Sequence, residues 1–159
     1  MGVSVVERKL STPIPAAKLF KAIVTDGQAV LPTTVPNVFQ NIETVQGSGG
    51  PGTVKKITYA QGSGLNYAKN RIDAIDHQNY VYQITTLEGE PWIDTIEKVS
   101  LEVKIEPSGD GGSVFNGVMK FYPKGSATIS DAHIKAEVDK IIGMFKTLEQ
   151  SLLANPNAY

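Results

Sequence analysis

From Lys98 to Glu106 the chain alternates at every step. Val99, Leu101, Val103 and Ile105 fall on one side, and Lys98, Ser100, Glu102, Lys104 and Glu106 on the other. A period of two puts these sets on opposite faces of a β-strand. One face is apolar and the other solvated, so a sheet of such strands must be covered on one side only. The chain therefore has to supply a cover. It comes last, between Ser130 and about Leu153, where Ile134, Val138, Ile141, Ile142, Phe145, Leu148 and Leu152 draw one stripe along a helix. Ser130 is a fitting N-cap and Asp131 suits the first turn. Such a helix is roughly 36 Å long, enough to cross the inner face of a curved sheet.

The remaining elements follow from punctuation. "GVSVVERKLST" reads as a strand ended by Pro13, and "PAAKLFKAIV" (15–24) as a short helix with Pro15 in its first turn. A second short helix over "GQAVLPTT" is limited by Pro32 and Pro36. Strands then run over 37–46, 53–60, 66–76, 79–88, 93–106 and 113–122. The breaks between them, "GSGGPG", "AQGSG", "DHQN", "EGEP" and "PSGDGG", are short and turn-forming, so neighbouring strands pair as antiparallel hairpins. One strand, two short helices, six strands and a long helix make a single α+β domain over residues 1–159.

Charge and composition narrow the function. A formal net charge of −1 does not fit a general nucleic-acid binder. The chain has no cysteine, which removes disulfides and thiolate metal sites. "MGVSVVERKL" has no apolar run of signal-peptide length, and no stretch approaches the roughly 20 apolar residues of a membrane span. The expectation is a cytoplasmic protein without membrane insertion. Gly2 lies at a myristoylation position, but Val6 stands where that motif wants Ser or Thr.

"QGSGGPGTVKK" (46–56) invites a nucleotide-binding reading. Gly47 and Gly52 have the G-x-x-x-x-G spacing, with Gly49 and Gly50 between them. A phosphate-binding loop continues with Lys and then Ser or Thr; here Thr53 and Val54 follow. "TVKKITY" then alternates as a strand, so no helix N-terminus faces a phosphate. The glycines read as a hairpin connection.

This order of elements, with "GSGGPGTVKK", resembles the Bet v 1 family, the plant pathogenesis-related proteins of class 10. "MGV", "IPAAKLFKA", "RIDAIDHQNYVYQ", "DTIEKVSLEVKI" and "LEQSLLANPNAY" carry the resemblance from end to end. It implies a seven-stranded antiparallel sheet curved around the long C-terminal helix. Two short helices would form a V, and a large hydrophobic cavity would lie inside. It also implies a defence-related carrier of small amphipathic ligands: cytokinins or other phytohormones, flavonoids, steroids, fatty acids. The wider superfamily includes abscisic acid receptors that inhibit phosphatases, and enzymes of alkaloid synthesis. Allergenicity is a further family implication. The weak ribonuclease attributed to some members would fall on Lys55, Glu97 and Glu149, with Ser151 where a tyrosine is expected. A cavity enzyme of secondary metabolism is a third reading, which nothing in the residues requires. No cofactor and no metal is implied.

Alternation shows which side chains face the interior. Lys55, Ile57 and Tyr59 share a face; so do Ala68, Asn70 and Ile72; so do Tyr80, Tyr82 and Ile84. Glu97 shares the side of Val99 and Leu101, and Phe115, Gly117, Met119 and Phe121 lie together. The expected wall takes Ile23 and Leu31 from the short helices and Phe39 from the second strand. It takes Val138, Ile141 and Ile142 from the last helix. Its polar exceptions are Lys55, Asn70, Glu97 and the hydroxyls of Tyr59, Tyr67 and Tyr82. An ionised group in a dry interior costs several kcal/mol unless paired or hydrated. Lys55 and Glu97 either neutralise each other or bond to the glycine loop near the open end, or the cavity is wet and Lys55, Tyr82 and Asn70 orient a mostly apolar guest. Ile84 and Ala29 offer no hydroxyl where many members of the family have a polar group, which tilts the expected preference towards guests with few hydroxyls. His77 reads as a turn residue and His133 as first-turn helix, neither in a catalytic set. Trp92 reads as a loop residue, over the cavity opening or as a plain anchor. A monomer is expected, with a dimer through an exposed strand edge left open.

Overall fold

The computed structural model describes residues 2–90 and 94–156. The elements run β1 (Ser4–Thr12), α1 (Ala16–Phe20), a π-helical turn (Lys21–Thr25) and α2 (Gly27–Thr34). Then come β2 (Phe39–Gln46), β3 (Val54–Tyr59), β4 (Tyr67–Asp76), β5 (Val81–Glu90), β6 (Ile96–Pro107), β7 (Ser113–Pro123) and α3 (Asp131–Ala154). All seven strands form one antiparallel sheet in the order β1-β7-β6-β5-β4-β3-β2. Every neighbouring pair except β1–β7 is a hairpin between consecutive strands, as the short glycine-rich breaks require. β1 joins the far edge instead, and its link to β2 carries the two short helices.

The short helices differ from expectation in detail. The first does not continue as α-helix to residue 24 but widens after Phe20 into the π-helical turn. α2 runs past Pro32 and ends at Thr34. The hydroxyls of Thr33 and Thr34 fold back onto the carbonyls of Ala29 and Val30, closing the last turn. Lys18 of α1 donates to the Pro156 carbonyl at 2.5 Å, which ties the start of the chain to the end of α3. Ser130 caps α3 as read, its hydroxyl accepting from the His133 amide at 3.2 Å.

The sheet bends because several strands carry one residue too many. Gln40 and Val45 are the extra residues of β2, Asp73 of β4, Leu87 of β5 and Glu97 of β6. Each bulge twists its strand and resets which side chains face inward.

The core has two centres. The larger gathers Ile14, Leu19 and Phe20 with Val103, Ile105, Phe115, Phe145, Leu148 and Leu152. Phe115 and Phe145 rings lie 5.1 Å apart. The smaller joins Ile96, Met119, Phe121 and Ile129 to Ile134 and Val138 of α3. Each such side chain, once buried, is worth about 1.5–3 kcal/mol.

Candidate functional site

Between the two core centres the helix does not fill the concave sheet. A cavity of ≈ 340 Å³ remains among the described residues, within the usual range of small-molecule sites. β3 gives it Lys55, Ile57 and Tyr59, the face that alternation assigned. Ala68, Asn70 and Ile72 of β4 follow, with the ring of Tyr67 at the strand's start. β5 gives Tyr82 and Ile84, β6 gives Leu101, and β7 gives Phe115 and Met119. Ile23, Leu31 and Phe39 close the helical side, and Ile141 borders the space from α3.

Four readings need correction. Val138 and Ile142 do not border the cavity: Val138 is part of the smaller core centre and Ile142 packs against it, because the stripe of α3 is wide and only one edge faces the void. Glu97 is not on the inner face. It is the bulged residue between Ile96, opposite Pro123, and Lys98, opposite Tyr122, and it is exposed. Ile96 takes the inward place. The pairing of Lys55 with Glu97 therefore does not form. Tyr67 turns its hydroxyl outward and donates to Glu88 at 3.1 Å, beside the Lys69–Glu88 ion pair at 3.3 Å. Of the residues the ribonuclease reading names, Lys55 borders the cavity and Glu97 and Glu149 do not.

The polar groups on the wall are unevenly satisfied. Asn70 Oδ1 accepts from the Thr86 hydroxyl at 2.7 Å. The hydroxyls of Tyr59 and Tyr82 have no hydrogen-bond partner among the described residues. Burial pushes the Tyr82 phenol up to about 12. Burial, aided by the charge of Glu137, does the same to Tyr59. Burial also pulls the Lys55 ammonium below its ordinary value, and no carboxylate within ion-pair distance opposes this among the described residues. The site can hold an apolar body and bond its polar ends at several points.

The glycine loop is built as a turn and offers no phosphate cradle. Gly49 N–H donates to Thr53 Oγ1 at 2.8 Å, Gly52 N–H to the Ile72 carbonyl at 2.8 Å, and Thr53 N–H to Gly50 O at 3.1 Å. Two of these amides are thus engaged within the turn and one on β4. Gly47 has φ +89°, and a Cβ there would lie 2.8 Å from Thr53 Cα.

The profile of the pathogenesis-related protein Bet v 1 family matches residues 1–155. The chain belongs to the Bet v 1 family. Major allergen Mal d 1 of Malus domestica is 42% identical over 159 residues, which covers 100% of this chain and 99% of the allergen. The crystal structure of Ara h 8.0201 superposes with a TM-score of 0.87 at 40% identity, over 97% of this chain and 100% of that one. Norcoclaurine synthase from Thalictrum flavum, solved in complex with dopamine and hydroxybenzaldehyde, shares the fold. Its TM-score is 0.74 at 17% identity, over 97% of this chain and 88% of that one.

In this Bet v 1-family chain several wall residues escaped the sequence reading. Thr86 follows Ile84 by two positions, so strict alternation finds it. Glu90 comes after the Leu87 bulge, which no pattern announced. His133, Glu137 and Lys140 also border the cavity. Their spacing of four and then three is itself a helical stripe beside the apolar one, and it is visible in the sequence. His77 is the exposed turn residue expected, with its ring edge-on to Phe20 at 5.8 Å. Trp92 lies outside the described residues. Among the described residues no helix is long and apolar enough to cross a membrane.

Proposed function

We propose that this chain is an intracellular, defence-related carrier that holds one small amphipathic molecule in the space under α3. Hormone-like, flavonoid and steroid-like scaffolds fit that chemistry. The observation that carries the reading is the ≈ 340 Å³ cavity, walled by aliphatic and aromatic side chains and bordered by polar groups without protein partners. A packed core would have no use for an unpartnered Lys55 or Tyr82 hydroxyl there; a guest supplies the missing partners. The protein acts as a monomer, since one chain encloses the site. Ile84 and Ala29 add no hydroxyl, so guests with few hydroxyls are preferred.

Native mass spectrometry and calorimetry test this with a polyhydroxylated flavonoid and a plainer analogue. One guest per chain, with the plainer one held more tightly, is the expected result. Tighter binding of the hydroxylated compound overturns the preference. Absence of any one-to-one binding overturns the carrier reading.

A further inference from the structure

The edge of α3 that borders the cavity is ionic. Glu137 is its hub, with Lys140 Nζ 3.2 Å and His133 Nε2 4.0 Å from the same carboxylate oxygen. Lys135 and Asp139, on the same helix, pair with each other at 2.8 Å and leave this group alone. Across the opening stands Tyr59, whose hydroxyl has no partner among the described residues and feels the Glu137 charge. Glu90 pairs with Tyr67 in the β4–β5 ladder and is exposed, so its carboxylate belongs to the outer face. On the outer face, Lys69 is held by Glu88. The other end of the cavity has the opposite sign. Lys55 lies four residues before Tyr59 on the same face of β3, about 13 Å away at strand rise. Ile57, Leu101 and Ile141 are among the apolar residues of the wall.

We infer that the α3 end of the cavity is an ammonium site: Glu137, with Tyr59, takes the protonated amine of an amphipathic guest whose apolar body lies along Ile57 and Leu101. The inference rests on the carrier reading and deepens it. At this end the Glu137 carboxylate has one permanent cation, Lys140, beside it among the described wall residues. Lys140 is exposed, and its pair with Glu137 is a surface ion pair on one helix. Such pairs hold weakly, so a guest amine displaces Lys140 at little cost. The amine then meets a partly desolvated carboxylate, where a charge-assisted hydrogen bond is strong. The Tyr59 hydroxyl gains the partner it lacks.

Three ten-carbon probes with one tail test the head group: decylamine, 1-decanol and decanoate, each displacing the neutral dye Nile red at neutral pH, low salt and below micelle formation. The wild-type chain should bind decylamine about tenfold more tightly than 1-decanol, the gain of one charge-assisted contact. Glu137→Gln should erase that preference by bringing decylamine down to the affinity of 1-decanol. Lys140→Gln should move the other way and strengthen decylamine a few-fold, because it removes the competitor. Both positions lie on the solvent edge of a helix, so both variants should fold. Equal binding of amine and alcohol by the wild type overturns the ammonium site, as does a preference that survives Glu137→Gln. Tighter binding of decanoate overturns it in favour of an anion site at Lys140. Should Nile red and all three probes fail to bind, the carrier reading falls first and takes this inference with it.

Discussion

α3 is one helix with two unlike halves. Its C-terminal half sinks Phe145, Leu148 and Leu152 into the larger core, each at 6% exposure or less, and of these Phe145 and Leu148 still touch the cavity while Leu152 does not. Its N-terminal half buries Ile134 and Val138 on one side and turns Ile141, Glu137, Lys140 and His133 to a void on the other. The amphipathic stripe is continuous through both. What differs is the opposite wall: at Leu152 the larger core closes on the helix, while β3 and β4 stand across the cavity from Ile141. Stability is concentrated where the stripe is matched, and binding capacity where it is not.

The comparison breaks most readily through side-chain truncation. Leu152→Ala should cost about 2–5 kcal/mol in denaturant unfolding, because it empties a packed site away from the cavity. Ile141→Ala, beside existing space, should cost only about 1–2 kcal/mol, since fewer contacts are lost. Equal costs for the two would mean that the N-terminal half is as tightly packed as the other.

Filling the void sharpens the contrast. Ile141→Phe should weaken Nile red binding at least several-fold, by occupying guest space, while unfolding shifts by less than about 1–2 kcal/mol. A large loss of stability without loss of dye binding would place Ile141 in a true core. Gly143 is a smaller test. It is exposed in mid-helix, and a Cβ there meets nothing within 4 Å. Gly143→Ala should therefore stabilise by about 0.5–1 kcal/mol through the entropy of the unfolded chain, read as a higher denaturation midpoint.

The smallest effect at neutral pH is the tyrosine titration. Tyr59 and Tyr82 have phenols raised to about 12, against roughly 10 in an unfolded chain. Folded protein thus keeps these protons where unfolded protein loses them. Their contribution is fully present below about pH 10 and is lost as pH rises towards 12. Phenolate absorbance should show Tyr59 and Tyr82 among the late tyrosines of the folded chain. A saturating guest that bonds their hydroxyls should delay them further; ordinary titration of all tyrosines would mean that the wall is solvated throughout.

How much could be read beforehand depended on whether a pattern was local. Lys55, Tyr59, Asn70, Tyr82 and Ile84 were legible because strand alternation is set by backbone geometry alone. The stripe of α3 was legible for the same reason at helical period. Glu97 was misplaced because one bulge reverses the alternation on one side of it, and bulges are chosen by sheet curvature. Val138 and Ile142 were misplaced because periodicity tells that a residue is buried and is silent on whether it meets protein or empty space.

Sequence alone determined the elements of this chain, their hairpin order, the one-sided sheet and the helix that covers it, because all of these follow from spacing between near neighbours. The tertiary structure decided where the cover fails to fit, which strands bulge, and that His133, Glu137 and Lys140 line the gap. Those depend on the distance between surfaces far apart in the chain, and no local repeat encodes a distance.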